Sequence, residues 1–363
     1  MTYPHIGKVL ENGIIAPEAQ VAGPEELIVR PEDDGLHITD FRKGDFEWWY
    51  FDLFDPGNDC FLKIVFHIGT DPLKTKIYPQ LAVSVTTPEG SESFTRPYSL
   101  SGFEADIRQC RLKAGREMEI REEPGEMTEY SVKIEIPEFQ CYLKFVPDIE
   151  GWKPLGNEVV HRIGRKKGAF SWVVPMPGGR VNGAFRLREK SFSIRAATGY
   201  HDHNYIRVDP RHPLHLDNLI TRWYWGKLYT GDLTVVFMDT RCRTNPLQSL
   251  MVADKQSIIH SSNNRLECSV QATGEDPVLK VSYPSAFAIR STDGEFPFRA
   301  ELTEEKLLDR KDLLEGVPAP VRAMIRKRVG RPAYHGIWGP AHLSLNDDVL
   351  SGWGNFESMV FRP

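Results

Sequence analysis

The spacing of apolar residues constrains this chain most. Short runs rich in Val, Ile, Phe, Tyr, Trp and Thr recur along it, parted by Pro, Gly, Asn and Asp. Examples are FEWWYFDLF (46–54), CFLKIVFHIG (60–69), QLAVSVTTP (80–88), YSVKIEIPEFQCYLKFVP (130–147), GAFRLREKSFSIRAATGY (183–200), DLTVVFMDTR (232–241) and RLECSVQATG (265–274). Runs of this length between such breaks form antiparallel strands, and a succession of them closes into a sandwich or barrel. Strand–helix alternation does not occur. Neither does a GxGxxG between strand and helix, nor a GxxxxGK[ST] loop, which disfavours a nucleotide-binding α/β fold.

One segment has a helical period. In TEEKLLDRKDLLEGVPAPVRAMIRKRVG (303–330), apolar residues recur at Leu307, Leu308, Leu313 and Leu314, then at Val321, Met324 and Ile325. Gly316, Pro318 and Pro320 divide it, which predicts two short helices with a core-facing stripe. The expected architecture is all-β, with antiparallel barrel or sandwich domains over 1–208 and 209–363 and a helical insertion near 303–328. The boundary is placed at the Pro- and His-rich VDPRHPLHLD (208–217).

Charge and cysteine usage narrow the function. The net charge is −5 and no long basic block is present, which argues against nucleic-acid binding. The one basic cluster, RAMIRKRVGR (322–331), reads as a solvated helix end. Cys60, Cys110, Cys141, Cys242 and Cys268 are scattered without a CxxC pair, so neither a disulfide framework nor a zinc knuckle is indicated. The first residues lack the pattern of a signal peptide. No apolar run approaches the ~20 residues that span a bilayer. The expectation is a soluble, cytoplasmic protein that a hydrophobic substrate could bring to a membrane surface.

The chemistry-bearing residues concentrate in GYHDHNY (199–205) and RWYWGKLY (222–229). If the first stretch is extended, His201, His203 and Tyr205 share one face, and Tyr200, Asp202 and Asn204 the other. His201 and His203 could begin a metal site, with His212, His215 or a carboxylate as third ligand, but no spacing supports a full set. An acid–base reading is stronger. Asp202 between two imidazoles is a setting in which proton affinities are pushed apart, and a protonated Asp or a cationic His could donate a proton. The plainer alternative is that His and Asp bond each other to close a turn.

In the second stretch Trp223, Trp225 and Lys227 share a face, with Tyr224 opposite. The first half of the chain holds a matching strand. Glu47, Trp49 and Phe51 lie on one side of it, and Trp48, Tyr50 and Asp52 on the other. Such rings pack cores, but two aromatic strands with embedded carboxylates also suit an apolar small-molecule pocket. Ring faces steady developing positive charge as well. No GxSxG elbow and no activated cysteine is evident, so nucleophilic catalysis is a minor alternative.

In order along the chain, FEWWYF, FSWVVPMPGGRVNGAF (170–185), GYHDHNY, RWYWGKLY, PAYHGIWGPAHLSL (332–345) and SGWGNFESMVF (351–361) resemble the carotenoid 1,2-hydratase (hydroxyneurosporene synthase)-like, or AttH-like, family. The likeness runs from about residue 45 to the C-terminus. It implies two lipocalin-like β-barrel domains with the ligand pocket near their junction. It also implies cofactor-independent addition of water to an isoprenoid double bond, or, as in related natural-product Diels–Alderases, cyclisation of a polyene. A non-catalytic lipid or pigment carrier is the reading from another class.

The motif points to His201, Asp202, His203 and Asn204, to the Trp223–Trp225 strand, and to Asp232 and Asp239. The expected catalytic set is therefore Asp202, His201, His203, Asp232, Asp239 and Tyr224. Trp48, Trp49, Tyr50, Tyr200, Asn204, Tyr205, Trp223 and Trp225 are the expected substrate contacts. The partner is a hydrophobic small molecule, and no metal or cofactor is expected. One departure stands out: Ile206, in YIRV (205–208), occupies a place where relatives carry a small residue.

Overall fold

The computed structural model describes residues 29–69, 77–156, 158–214, 219–243, 246–255, 257–315, 317–346 and 348–361. The apolar runs are strands, and the fold is all-β. The first sheet holds β1 (Phe46–Asp55), β2 (Cys60–Gly69), β3 (Tyr78–Thr87), β4 (Gly90–Pro97), β5 (Phe103–Ala105), β6 (Arg111–Ala114), β7 (Met118–Glu123), β8 (Glu129–Glu135), β9 (Phe139–Pro147), β10 (Val159–Ile163), β11 (Lys166–Leu187) and β12 (Lys190–Val208). The second holds β13 (Ile220–Thr230), β14 (Thr234–Cys242), β15 (Leu247–Ala253), β16 (Ile258–Asn263), β17 (Leu266–Glu275), β18 (Ser282–Ser291), β19 (Phe298–Thr303), β20 (Lys306–Asp312), β21 (Ala333–Leu345) and β22 (Asp348–Val360).

Both sheets follow one path. The first four strands wind outward, and the rest return from the far edge until the last pairs with the first. The orders are β4-β3-β2-β1-β12-β11-β9-β8-β7-β6-β5 and β16-β15-β14-β13-β22-β21-β19-β18-β17. The two aromatic strands, β1 and β13, therefore hold equivalent central places. By compactness, the described residues of Ala22–Val159 and Lys167–Pro213 form one unit, and those of Val160–Lys166 and Leu214–Pro363 the other.

Each sheet curls over its own core. In the first, Trp49, Phe51 and Leu53 of β1 pack with Leu62, Ile64 and Phe66 of β2 and with Val132, Leu143 and Phe145. The curl brings β4 to the β6–β7 turn, where Arg96 pairs with Glu117 at 2.8 Å. In the second, Tyr224, Leu228, Phe237, Phe287 and Phe356 form the centre. All five cysteines are free thiols.

Two backbone features shape the strands that carry the site. Pro175 and Pro177 have no N–H to give a ladder, and β11 slips against β12 between Val173, Met176 and Gly179. Trp152 fills the gap through paired 2.8 Å bonds with Val174. Gly199 stands opposite Gly179, and a Cβ there would come 2.3 Å from Val181 Cγ2. The Val181 and Phe145 side chains pack this closely on the start of GYHDHNY only because Gly199 carries none.

The expected helical pair is corrected. Lys306–Asp312 is the strand β20, paired antiparallel to β21 from Lys306 opposite Trp338 to Asp312 opposite Ala333. The waiting β21 edge outweighs a weak helical preference. Among the described residues of this segment, Ala319–Val329 alone is helical (α1), with Pro at its start and Gly330, at φ 74°, at its end. It buries no residue, so the expected core-facing stripe is absent, and Met324 is exposed. Arg326, Lys327 and Arg328 form its last turn, which is where the sequence placed the basic cluster. No helix among the described residues is long and apolar enough to cross a membrane.

Candidate functional site

The β1–β12 ladder sorts the site residues by face. It pairs Glu47 with Tyr205, Trp49 with His203, Phe51 with His201, Tyr50 with Asp202 and Asp52 with Tyr200. Side chains alternate along a strand. Glu47, Trp49, Phe51, His201, His203 and Tyr205 therefore share the inner face, over the first core. Trp48, Tyr50, Asp52, Tyr200, Asp202 and Asn204 share the opposite face. Asp202 and the two histidines, neighbours in sequence, thus cannot act on one atom.

On the inner face the histidines enter a buried ion network. His201 lies flat on Phe51, with ring centroids 3.8 Å apart, and places Nδ1 3.0 Å from Tyr50 O and Nε2 2.8 Å from Asp34 Oδ2. Both nitrogens face oxygens, so the ring is fixed at both ends. His203 stacks on Trp49 at 4.3 Å and places Nε2 2.9 Å from Glu47 Oε1. Burial raises the affinity of Glu47 for protons, but hydrogen bonds from His203 and His37 outweigh it and hold the carboxyl down at about 2. Burial also pushes His203 below its ordinary range, against the pull of Glu47. Backbone N–H groups of His37 and Ile38 pin both Glu47 oxygens, at 2.7 and 2.9 Å. Tyr205 belongs here too, its ring stacked 4.5 Å from His37.

The opposite face holds a different group. Tyr50 O–H donates to Asp52 Oδ2 at 2.8 Å, and Tyr200 O–H donates to Asp202 Oδ2 at 2.9 Å. The antiparallel register sets each tyrosine across from the other strand's aspartate, so the four make a crossed quartet. The rings of Tyr50 and Tyr200 meet edge to face at 6.1 Å. Asp202 also accepts Trp172 Nε1–H at 3.2 Å and Asn204 Nδ2–H at 2.8 Å. Trp172 is itself held edge-on by Trp152 at 5.4 Å, next to the slipped ladder. All members of the quartet are buried. Trp48, half-buried on the same face, packs against Phe46 at 5.4 Å.

The second sheet separates the remaining residues. Tyr224 lies in its core, 5.0 Å from Phe287 and 5.3 Å from Phe356. Asp239, paired with Tyr224 in the ladder, accepts Arg222 Nη2–H at 2.7 Å and Gln248 Nε2–H at 2.9 Å. Asp232 sits on an exposed turn and pairs with Lys255 at 3.0 Å. Asp232 stands apart, whereas Tyr224 and Asp239 face each other across the β13–β14 ladder, joined by the Arg222 guanidinium, which lies 4.1 Å over the Tyr224 ring. Trp223, Trp225, Lys227 and Tyr229 take the other face of β13, all buried. The Lys227 ammonium lies 5.8 Å from the Trp225 ring and 6.0 Å from that of Tyr229. His212 is exposed, and His215 lies outside the described residues.

The first unit also holds a cavity of about 330 Å³ with an acidic rim of Glu122, Glu123, Glu126 and Glu150 and with Asp34 and Tyr130 in its wall. None of the residues nominated from sequence lines it. Asp34, His37 and Trp172 are the participants that sequence reasoning missed. Trp172 stands in the FSWVVP segment of the resemblance. Asp34 and His37, in a loop before β1, carry no local signal.

Sequence comparison matches no family model and no curated protein. Comparison of structures does find likenesses. A protein assigned as AttH from Nitrosomonas europaea superimposes with a TM-score of 0.62 at 14% identity, over 93% of this chain and 98% of its own. CghA, solved with a small molecule bound, gives 0.61 at 11% identity, over 93% and 97%. Kievitone hydratase from Nectria haematococca gives 0.56 at 12% identity, over 93% and 99%. At these identities the likeness is one of fold: the chain has the two-domain antiparallel β fold of the AttH-assigned protein, CghA and kievitone hydratase.

Proposed function

We propose that this protein is a hydratase- or cyclase-type enzyme acting on a hydrophobic polyene or isoprenoid-like molecule, with the Tyr50–Asp52 and Tyr200–Asp202 pairs moving the proton. The observation that carries the reading is the crossed quartet: two buried tyrosine hydroxyls, each held on a carboxylate. Such a pair passes a proton in either direction. When a proton reaches the tyrosine oxygen, the hydroxyl's own proton moves to the aspartate, and the reverse delivers one.

Addition of water to an alkene needs one pair of each kind. One pair, its aspartate protonated at the outset, delivers a proton to carbon; the other, its aspartate ionised, takes the proton that water loses, and that proton passes back to the first aspartate before the next turnover. Three donors on Asp202 suit its charged, accepting form, and the donating role falls to Tyr50–Asp52. Proteins of the same fold include a hydratase and one solved with a small molecule bound, which supports an activity on a small molecule.

Asp202→Asn and Tyr200→Phe are the direct test, assayed on terminal-alkene isoprenoids and linear polyenes. Each should lower turnover by ~10²-fold or more, the usual worth of a positioned acid or base, while the melting temperature stays within a few degrees. Full turnover in folded Asp202→Asn would remove the residue from the mechanism. A pericyclase is the second reading, because donors already fixed by hydrogen bonds can orient a substrate carbonyl without proton transfer.

A further inference from the structure

On the inner face of β12, away from the quartet, the geometry points to a metal site: His37, Glu47 and His203 bind one divalent transition-metal ion of the Zn²⁺ class. His37 Nδ1, Glu47 Oε1 and His203 Nε2 all lie within 4.8 Å of one another. Glu47 Oε1 is 3.5 Å from His37 Nδ1 and 2.9 Å from His203 Nε2. Ligands at ~2.0–2.1 Å from zinc stand roughly 2.9 Å apart at octahedral angles and roughly 3.4 Å apart at tetrahedral ones. The two spacings therefore fit around one ion with only small shifts. Two imidazoles and a carboxylate are borderline ligands, suited to Zn²⁺ or its neighbours rather than to Mg²⁺ or Ca²⁺.

Proton placement supports the same site. His203 Nε2 faces Glu47 Oε1, and its Nδ1 faces Asp33 O at 3.3 Å and Asp34 Oδ1 at 3.4 Å. A neutral ring has one N–H and cannot satisfy both sides. With a metal on Nε2, the proton sits on Nδ1 and donates to Asp33 O, the backbone contact that metal-bound histidines commonly make. His37 Nδ1, which is buried and stands 3.5 Å from Glu47 Oε1, gains a direct ligand bond at the same time.

The ligands are also held in place. Trp49 stacks on His203, Tyr205 stacks on His37, and two backbone N–H groups hold Glu47. The His37 side chain is 25% exposed, so this ligand lies at the solvent side of the set. The neighbouring set of Asp34, Cys110 and His201 lacks these features. It is fully buried, and His201 already uses both nitrogens. An ion at His37–Glu47–His203 would tie the loop before β1 to the β1–β12 ladder.

The test uses the full chain, stripped with a chelator and titrated with Zn²⁺, with stoichiometry and melting temperature as readouts. One equivalent should bind, and the melting temperature should rise with free Zn²⁺, since a ligand of the folded state stabilises it by mass action. His37→Ala removes a partly exposed ligand and should keep its metal-free melting temperature while binding at least 100-fold more weakly. Glu47→Gln should lose binding as well. If that variant fails to fold, His37→Ala decides alone. Absence of Zn²⁺ binding would overturn the assignment. So would wild-type affinity in His37→Ala, which marks adventitious binding at surface histidines, or an equal rise with Mg²⁺.

Discussion

At the scale of single residues, buried polar groups set the response of this protein to acid. His161 is fully buried, and neither ring nitrogen has a hydrogen bond among the described residues. Burial alone pushes it down from 6.5 to about 4. As pH falls through 6.5 the unfolded chain takes up a proton that the folded one refuses, so stability drops until about pH 4. The loss amounts to about 3 kcal/mol. His161→Leu should erase that component and add ~1–3 kcal/mol at neutral pH, the cost of an unbonded buried polar group. Urea unfolding at pH 7 and pH 4.5 checks it, and an unchanged difference between the two pH values would refute it.

Glu47 acts in a lower window. Its carboxyl is held near 2 against an ordinary 4.5, so its contribution is complete above 4.5 and is lost as pH falls toward 2. Glu47→Gln should be less stable at neutral pH and should lose ~3 kcal/mol of the acid dependence between those values. Acid titration of the folded fraction, followed by circular dichroism, distinguishes the two proteins.

At the scale of elements, β11 and β12 are the parts whose irregularity matters. Gly183, at φ 136°, lies at a register shift of β11, and a Cβ there would meet Tyr142 O at 2.1 Å. Gly183→Ala combines a disfavoured backbone with a backbone clash and should destabilise by ~2–3 kcal/mol. A fall of less than a degree in melting temperature would mean that the strand relaxes without strain. The strands themselves were legible because a period of two survives in β1, β12 and β13, and it sorted His201 and His203 from Asp202 without any structure. The 303–330 segment was not legible, because Leu307, Leu308, Leu313 and Leu314 fit a helical period and the strand is irregular at Leu307–Asp309. Its pairing with β21 is decided by residues some thirty positions away.

At the scale of the whole molecule, one winding path used twice places the aromatic strands FEWWYF and RWYWGKLY at equivalent central positions. That equivalence explains why two similar motifs stand in the two halves of the sequence. Three of the quartet, Tyr50, Tyr200 and Asp202, were nominated and Asp52 was placed on their face, but the meeting of the two pairs depends on the register between strands about 150 residues apart. Asp34 and His37 were invisible, since loop residues acquire a role only when the chain lays them against β1 and β12. Asp232 and Asp239 were nominated through the family resemblance, and the β13–β14 hairpin puts Asp232 on its exposed turn and Asp239 in a buried place opposite Tyr224.

The central claim is that Tyr50, Asp52, Tyr200 and Asp202 transfer a proton to carbon, and solvent isotope reads that event directly. With a terminal-alkene isoprenoid turned over in D₂O, the account predicts one deuterium bound to carbon in each product molecule, and no such product from Asp202→Asn. An active wild-type protein whose product carries no carbon-bound deuterium would contradict it.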